Sequence, residues 1–342
     1  MVKFTNAILR RLGREGKEIL KEHTNPTDNI ARWLLSEWTE TYGVSKTLLI
    51  IQQLLDENAH NYVDLSLKGH SNEEVEFIIN TFKECGLSDI QELPNGSLRV
   101  KRGGSNGQIS KWPLYDEGKW WVQDVSSTLP ALAMISTLRQ KYGTLEELTV
   151  VDMCAAPGGK TSQLLSAGFG SVVAVEASKR RCRRLEENLE RLTLRENCDI
   201  VVSNGQDWVP GDREINGILL DVPCSATGTA NRRPDILQKD GSLGNLLETQ
   251  EMLANHCVSI LPPGGVLIYA TCSLLARESE DQVSKLLEKG NVETLPFTVG
   301  EVPGFNDAID ENGWLRVLPG VIDGDLKICD GFFVARLSKK HE

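Results

Sequence analysis

From about residue 145 onward, short apolar runs alternate with longer amphipathic stretches, and this alternation constrains the fold more than any other feature. The apolar runs have the length of buried strands, and segments with helical spacing lie between them, such as 179–192 and 245–261. Strands that alternate with helices form a mostly parallel sheet covered on both faces. The sequence therefore predicts an α/β fold here, with strands at 148–153, 171–177, 198–204, 215–222, 264–272 and 331–337.

Several polar or reactive side chains fall at or just beyond the carboxyl ends of these predicted strands. Ligands of open α/β sheets bind at this edge, because the carboxyl ends of parallel strands meet there. We therefore expect these side chains to line one site: Asp152, Glu176, Asn204, Asp221 and Cys272.

The chain before residue 145 has a different character. Residues 1–60 carry apolar residues at helical spacing, and Gly43 ends one of these helices. Residues 61–110 combine two strand-like runs with a helix capped by Ser71 or Asn72, followed by a loop at 103–108. Because 342 residues exceed one typical domain, we expect a smaller N-terminal region in front of the α/β domain.

Charge limits how this chain can meet nucleic acid. The formal net charge is −11, so broad electrostatic attraction to a polyanion is not expected. Any RNA contact must use local basic patches, each of which is equally typical of a solvated face. The candidates are Arg10–Lys17, Lys101–Arg102, Lys179–Arg184 and Arg232–Arg233.

Composition also bears on the compartment. The sequence has no run of eighteen apolar residues, which predicts no transmembrane helix, and its start lacks the apolar core of a secretory signal. Eight scattered cysteines without a CxxC pair indicate reduced thiols, so we expect a cytoplasmic protein, with an organellar stroma or matrix as the alternative if the source is eukaryotic. The five histidines show no ligand spacing, and no metal site is predicted.

The turn after the first predicted strand of the α/β domain departs from the common phosphate-binding turns. In VVDMCAAPGGKT, Cys154 stands where a P-loop needs its first glycine, and GxGxxG is absent. What remains is a tight turn of small residues that lets backbone approach a ligand. Glu176 is placed to accept bonds from ribose hydroxyls, and Asn204 is placed to meet an adenine amino group. A nucleoside held without phosphate contacts suggests S-adenosylmethionine, with some other small ligand as the alternative.

Two cysteines follow strand ends on the same edge, and each precedes a serine. They are Cys224 in DVPCSATGT and Cys272 in YATCSL, and both are also readable as packed thiols. Beside a methyl donor, a thiolate that adds to C6 of a pyrimidine makes C5 nucleophilic enough to take the methyl group. A lowered thiol pKa helps this step, and Asp221 is placed to bond ring N3 and the amino group, as a general acid if protonated.

Several motifs together resemble the Sun (Fmu) type of bacterial 16S ribosomal RNA cytosine-5 methyltransferases. The resemblance covers roughly residues 25–338, and the paired PCS and TCS motifs are its most specific part. It implies a Rossmann-like S-adenosylmethionine-dependent methyltransferase fold, with a seven-stranded mostly parallel sheet and a smaller N-terminal helical and α+β region. The matching segments are DMCAAPGGKT, LLDVPCSATGT, RRPDI, ILPPGGVLIYATCSL, ESEDQV and DGFFVARL.

The resemblance also implies a role for each matched residue. Cys272 is the nucleophile that attacks C6, Cys224 assists breakdown of the covalent adduct, and Asp221 lines both donor and cytosine. Glu176 holds the ribose. Asn204 lies near adenine at a position where the family usually has aspartate, so we expect weaker donor binding. The methionine-side donor loop consists of Cys154, Ala155, Ala156, Pro157, Gly158, Gly159 and Lys160.

The same resemblance predicts three parts of the chain. Residues 1–24 are a remnant of a NusB-like helical domain, and we expect this remnant to be frayed or loosely packed. Residues 25–140 are a helical and α+β RNA-binding subdomain, and residues 141–342 are the catalytic domain. The expected partner of this monomer is RNA, either 16S ribosomal RNA or a small-subunit assembly intermediate. The alternatives are another substrate, such as transfer RNA or a protein side chain, and a non-catalytic ribosome-assembly factor.

Overall fold

The computed structural model describes residues 2–23, 25–69, 71–87, 89–102, 108–322 and 324–341, so most of the predicted loop at 103–108 lies outside the described residues. Its helices are α1 (Val2–His23), α2 (Arg32–Leu54), α3 (Asn72–Glu84), α4 (Leu129–Tyr142), α5 (Gly159–Ser166), α6 (Lys179–Arg191), α7 (Gly244–Ile260) and α8 (Glu280–Glu288). Its strands are β1 (Tyr62–Leu67), β2 (Ile90–Glu92), β3 (Leu98–Lys101), β4 (Trp120–Val122), β5 (Thr149–Met153), β6 (Ser171–Glu176), β7 (Cys198–Val202), β8 (Gly217–Asp221), β9 (Val266–Thr271), β10 (Val292–Thr294), β11 (Leu315–Val317) and β12 (Phe332–Lys339). No helix among them combines the length and the apolar character that crossing a membrane requires.

The large sheet has the strand order β10-β12-β9-β8-β5-β6-β7, and β11 pairs with β12 as an eighth strand. Strands β9, β8, β5, β6 and β7 run parallel, whereas β12 is antiparallel to β9 and to both short strands. The predicted α/β fold with a mostly parallel sheet is confirmed, and each of the six predicted strands is present. The sequence did not single out β10 and β11, which are only three residues long each.

Helices cover both faces of this sheet, which explains why its central strands are apolar almost throughout. On one face α4, α5 and α6 bury side chains such as Met134, Leu164 and Leu185. On the other face α7 and α8 bury side chains such as Leu253 and Val283. Because α4 packs on β8 and β9, the packing favours a domain boundary ahead of this helix. The predicted three-part division remains a proposal.

A second, antiparallel sheet with the order β2-β3-β1-β4 forms the core of the smaller region. Helix α3 packs against it through Ile78 and Phe82, and the Ser71 hydroxyl caps this helix by accepting from the Glu74 backbone N–H at 3.2 Å. The buried pair Asp64 and Arg99 joins β1 to β3 at 2.7 Å. This region therefore has its own hydrophobic core.

Helix α2 bends at Gly43, whose φ of 77° is not helical, and this confirms the predicted break. Its buried face includes Leu34 and Trp38 and packs on apolar residues from the loops after β8 and β9, Leu237 and Leu274 among them. The Tyr42 hydroxyl also donates to the carbonyl oxygen of Leu274 at 2.8 Å. Helix α2 thus supports the loops that follow β8 and β9.

Helix α1 differs from the other helices in its surroundings. Every residue from Phe4 to Arg14 is exposed, including the apolar side chains of Phe4, Leu9 and Leu12. The side chains of residues 4–14 thus lie in solvent, and isolated helices are marginal in water.

We therefore predict that the amide hydrogens of α1 exchange with solvent far faster than those of β5 and β9. Exchange in the core strands requires global unfolding, whereas α1 needs only local opening. Hydrogen exchange followed by mass spectrometry measures both in one experiment. Equal protection of α1 and β9 would contradict the loose packing predicted for residues 1–24.

A buried carboxylate ties β5 to α5. The Thr161 hydroxyl donates to Asp152 Oδ2 at 2.6 Å, while Oδ1 is buried without a hydrogen-bond partner. Burial raises the pKa of Asp152 to about 7, and Asp221 adds to the rise while Thr161 and Lys160 oppose it. The folded state therefore binds a proton at Asp152 over a pH range in which the unfolded chain has released it.

This pKa predicts a stability that falls with rising pH. At pH values between the unfolded pKa of about 4 and the folded pKa, folding takes up a proton at Asp152. The stability that this proton uptake contributes is therefore fully present at acid pH and is lost above neutrality. Asp152→Asn removes this titration. The free energy of unfolding of the wild type, relative to that of Asp152→Asn, should fall by on the order of 3 kcal/mol from about pH 5 to about pH 8. Urea unfolding at both pH values measures the difference. Thr161→Val keeps the carboxylate and removes a hydrogen bond that lowers its pKa, so stability should still fall with rising pH. A stability difference between Asp152→Asn and the wild type that is independent of pH would exclude the titration.

Candidate active site

The carboxyl ends of the parallel strands meet at two adjacent cavities. The one that we call the cysteine cavity has a volume of about 420 Å³ and includes Cys154, Glu176, Asn204, Asp221, Cys224 and Cys272 in its lining. The other, the loop cavity, has a volume of about 550 Å³ and is lined by residues 154–160, Asp221 and Arg232 as well as by Trp121 of the small sheet. Every residue that the sequence predicted for the site lines one or both cavities. Their individual roles remain predictions.

The loop at 154–160 is the tight turn that its small residues predict. Cys154 has a φ of 67° and Gly158 a φ of 105°, and a Cβ on Gly158 would lie 2.4 Å from a Leu185 side-chain carbon. Only glycine is free of strain at that position. Burial, followed by the charges of Asp221 and Glu176, raises the pKa of the Cys154 thiol to about 12. Cys154 is therefore a neutral wall of the cavity.

Glu176 ends β6 with its side chain almost wholly buried at the wall of the cysteine cavity. Its Oε1 accepts from the Ser178 backbone N–H at 2.8 Å, and Arg181 lies 3.0 Å from its Oε2. Arg181 also donates to the carbonyl oxygen of Ala156. This arginine, which the sequence analysis included only in the basic patch Lys179–Arg184, holds the end of β6 against the loop at 154–160.

Asn204 lies beyond the end of β7 and donates through Nδ2 to Asp207 Oδ2 at 2.8 Å. An aspartate at this position would place two carboxylates at that distance, which gives a physical reason for an amide here. The amide still carries a carbonyl oxygen as acceptor.

Lys160 and Asp221 form an ion pair between the two cavities, with 2.7 Å between Nζ and Oδ2. Burial opposes the charge of Lys160, but the charge and the hydrogen bond of Asp221 prevail and raise the pKa of this lysine. Lys160 therefore remains a charged ammonium group. The sequence predicted Asp221 as a general acid if protonated, and this role stays a prediction; the structure shows Lys160 as its partner.

The two cysteines predicted as a pair lie together. Cys224 and Cys272 follow the adjacent strands β8 and β9, and their Sγ atoms are 3.5 Å apart. Contact with Cys224, then burial, then the nearby charge of Asp221 raise the pKa of Cys272 well above the ordinary thiol value. The lowered pKa that the chemistry favours is thus not provided by the described residues alone.

Sequence reasoning missed two side-chain clusters around this pair. Arg232 is paired with the buried Asp330 and lies 3.8 Å from Asp124. Glu278, wholly buried, accepts hydrogen bonds from the serines that follow both cysteines. The available signals were Arg232 in RRPDI, Glu278 in ESEDQV, Asp330 in DGFFVARL and the repeated Cys-Ser pair.

These residues fit S-adenosylmethionine. The cysteine cavity falls within the usual size of ligand sites, and it combines a buried acid at the second strand end with a loop of small residues. Cys154 and Gly158, which both have a positive φ, line the loop cavity.

Comparison with known proteins agrees with this reading. Residues 143–338 match the family described as 16S rRNA methyltransferase RsmB/F. Ribosomal RNA small subunit methyltransferase B of Cronobacter sakazakii is 31% identical over 346 aligned residues, which cover 98% of this chain and 72% of that protein. Its counterpart in Shewanella oneidensis is 30% identical over 352 residues, covering 99% and 74%.

Solved structures share the fold at lower sequence identity. NSun6 from Pyrococcus horikoshii, determined with SFG, matches with a TM-score of 0.74 at 19% identity, covering 92% of this chain and all of that one. A methyltransferase homologue from the same organism matches with a TM-score of 0.70 at 24% identity, covering 94% and 98%. The chain thus has the Rossmann-like methyltransferase fold, and it belongs to the RsmB/F family of 16S rRNA methyltransferases, whose methyl donor is S-adenosylmethionine.

Proposed function

We propose that this protein methylates C5 of a cytosine in 16S ribosomal RNA, through a covalent bond between Cys272 and C6 of the base. The observation that carries the proposal is the pair of sulfur atoms 3.5 Å apart at the wall of the cysteine cavity. The names of the curated relatives, which specify the small ribosomal subunit, support this choice of RNA.

Donor binding would use the opposite wall of the same cavity. When bound, S-adenosylmethionine supplies a methyl group on a positively charged sulfur. Glu176 would accept the ribose hydroxyls, Asn204 would lie against adenine, and residues 154–160 would hold the methionine side. Since Glu176 already has Arg181 and Ser178 as partners, its carboxylate is fixed in place before the ribose arrives.

Cys272 would begin the chemistry by adding its thiolate to C6. As the Sγ–C6 bond forms, electrons move into the ring and N3 takes up a proton, which leaves C5 able to accept the methyl group. The Lys160–Asp221 pair lies beside this thiol and can supply that proton and stabilise the charge on the ring. Positive charge from Lys160 and from the bound donor would offset the raised pKa of Cys272.

Cys224 would act in the second half of the reaction. Once C5 carries the methyl group, its hydrogen must leave as a proton, and the Sγ–C6 bond then breaks to restore the aromatic ring. A second sulfur 3.5 Å from Cys272 is close enough to assist this elimination. This separation of roles gives each cysteine its own mutant phenotype.

RNA contacts would lie on the smaller region and on α6. Trp121 and Tyr115 line the loop cavity, where a base can stack, and Arg232 lines it from the catalytic side. Exposed basic residues of α6, Lys179, Arg180, Arg183 and Arg184, would supply local positive charge against a net charge of −11. The proposal also includes three further points: residues 25–140 bind the RNA, the protein is a monomer, and it is located in the cytoplasm.

Replacing each cysteine by serine should give different results. Cys272→Ser should abolish both methylation and adduct formation, because the nucleophile is gone. Cys224→Ser should instead accumulate covalently bound RNA, visible as a slowly migrating band in a denaturing gel. Cys85→Ser, at an exposed cysteine, is the matched control and should behave as the wild type. Interchanged behaviour of the two active-site variants would reverse the assigned roles.

Bisulfite sequencing of total RNA tests the substrate. Cells with the gene should protect one 16S cytosine from conversion, and cells without it should not. Cells that carry only the Cys272→Ser gene should match the deletion, since the same RNA is bound but not methylated. Gene-dependent protection confined to a transfer RNA would replace the proposed substrate, and no gene-dependent protection in any RNA would favour a non-catalytic assembly factor.

A further inference from the structure

The serines that follow the two cysteines converge on one carboxylate. Glu278 Oε1 accepts from the Ser225 backbone N–H at 2.9 Å, and its Oε2 accepts from the hydroxyls of Ser225 and Ser273. The two hydroxyl oxygens lie 3.1 Å apart. The repeated Cys-Ser pair in the sequence thus corresponds to one shared hydrogen-bonding centre.

A further contact ties the other side of the Cys224 loop to the same residue. Gln250 Nε2, from α7, donates to Glu278 Oε1 at 3.0 Å and to the carbonyl oxygen of Pro223 at 2.9 Å. The backbone is therefore held to Glu278 both just before and just after Cys224. On the other loop, Ser273 immediately follows Cys272.

The hydrogen-bond partners of this carboxylate are neutral, and Glu278 has no exposed surface. A buried charge is costly unless hydrogen bonds compensate it, and here four donors do so. Because Glu278 is fully covered, it cannot contact a base or a donor in the cavity. Its effect on chemistry has to pass through the loops that it holds.

We propose that Glu278 is a positioning residue that sets the separation of Cys224 and Cys272. Their reactive distance depends on two loops from adjacent strands, and Glu278 is bonded to the residue after each cysteine. The consequence for methylation rests on the proposed function, whereas the separation of the sulfur atoms is measurable without RNA.

Three variants isolate this role. Glu278→Ala removes all four bonds. Glu278→Gln keeps a carbonyl oxygen for the Ser225 and Gln250 N–H groups and offers an amide to the serine hydroxyls, which can turn to accept it. Asp281→Ala is the matched control, because this nearby carboxylate is exposed at the start of α8.

The first readout is disulfide formation with diamide in the full chain. Diamide takes two electrons and two protons from the thiols and becomes a hydrazine, while Cys224 and Cys272 become a disulfide, which peptide mapping identifies. Two sulfur atoms 3.5 Å apart need little movement to form a disulfide. If the two loops move apart, the sulfur atoms no longer meet the geometry that a disulfide requires. We expect the rate to fall about tenfold or more in Glu278→Ala and to change less than about threefold in Glu278→Gln and Asp281→Ala.

The second readout separates positioning from folding. S-adenosylmethionine affinity, measured by calorimetry, should stay within about twofold in Glu278→Ala, since Glu176 and residues 154–160 lie on other loops. The kcat for methylation should fall about tenfold or more with little change in the KM for RNA, and Glu278→Gln should restore most of it.

The outcomes distinguish the two proposals. A wild-type rate of disulfide formation in Glu278→Ala would overturn the positioning role. A variant that loses both donor affinity and disulfide formation would also overturn it, because that result indicates a folding defect. An equal defect in Glu278→Gln would also overturn it, because the conservative variant keeps the geometry. Slower disulfide formation in an enzyme whose wild type methylates no cytosine would support positioning and refute the proposed function.

Discussion

The parallel pairing of β8 with β9 places the two cysteine loops side by side, and most features of the site depend on it. Asp221 lies opposite Ala270 in this register, so Cys224 and Cys272 leave the sheet at neighbouring positions. The antiparallel strand β12 closes the other edge of β9 and brings Phe332 under the Lys160 ammonium, 5.3 Å from ring centroid to Nζ. A shift of one residue in either pairing would turn these side chains to the opposite face of the sheet.

Charge at this edge is arranged in pairs rather than as isolated groups. Asp221 has Lys160, Glu176 has Arg181, and Asp330 has Arg232 as a basic partner. In two of these pairs a buried acid meets a half-exposed arginine, and such pairs add little net stability, because desolvation of the buried charge offsets much of the attraction. Their evident effect is to fix positions, and Glu278 achieves the same with neutral donors. The raised pKa of Cys272 is consistent with these paired charges, because the thiol stays neutral until the bound donor brings additional positive charge.

Much of the α/β domain was predictable because its signals are local. Each parallel strand is a continuous apolar run, and the polar residues at its end follow from chain direction alone. The short strands β10 and β11 were not predicted, because a strand of three residues at the edge of the sheet is too short to show a periodic pattern. The sequence also did not predict the ion pair between Lys160 and Asp221 or the hydrogen bonds of Glu278, although the motifs that contain these residues were recognised. Both join segments distant in sequence, and only the packed sheet brings those segments together.

The most direct test of the account is the site of covalent attachment to RNA. Fluorine at C5 of cytosine cannot leave as a proton does, so RNA containing 5-fluorocytosine should remain bonded to the wild-type enzyme after methyl transfer. Nuclease and protease digestion followed by tandem mass spectrometry identifies the modified residue. The account predicts a nucleotide on Cys272, formed only when S-adenosylmethionine is present and accompanied by the added methyl group. A nucleotide on Cys224, or the absence of any protein–RNA bond under these conditions, would contradict it.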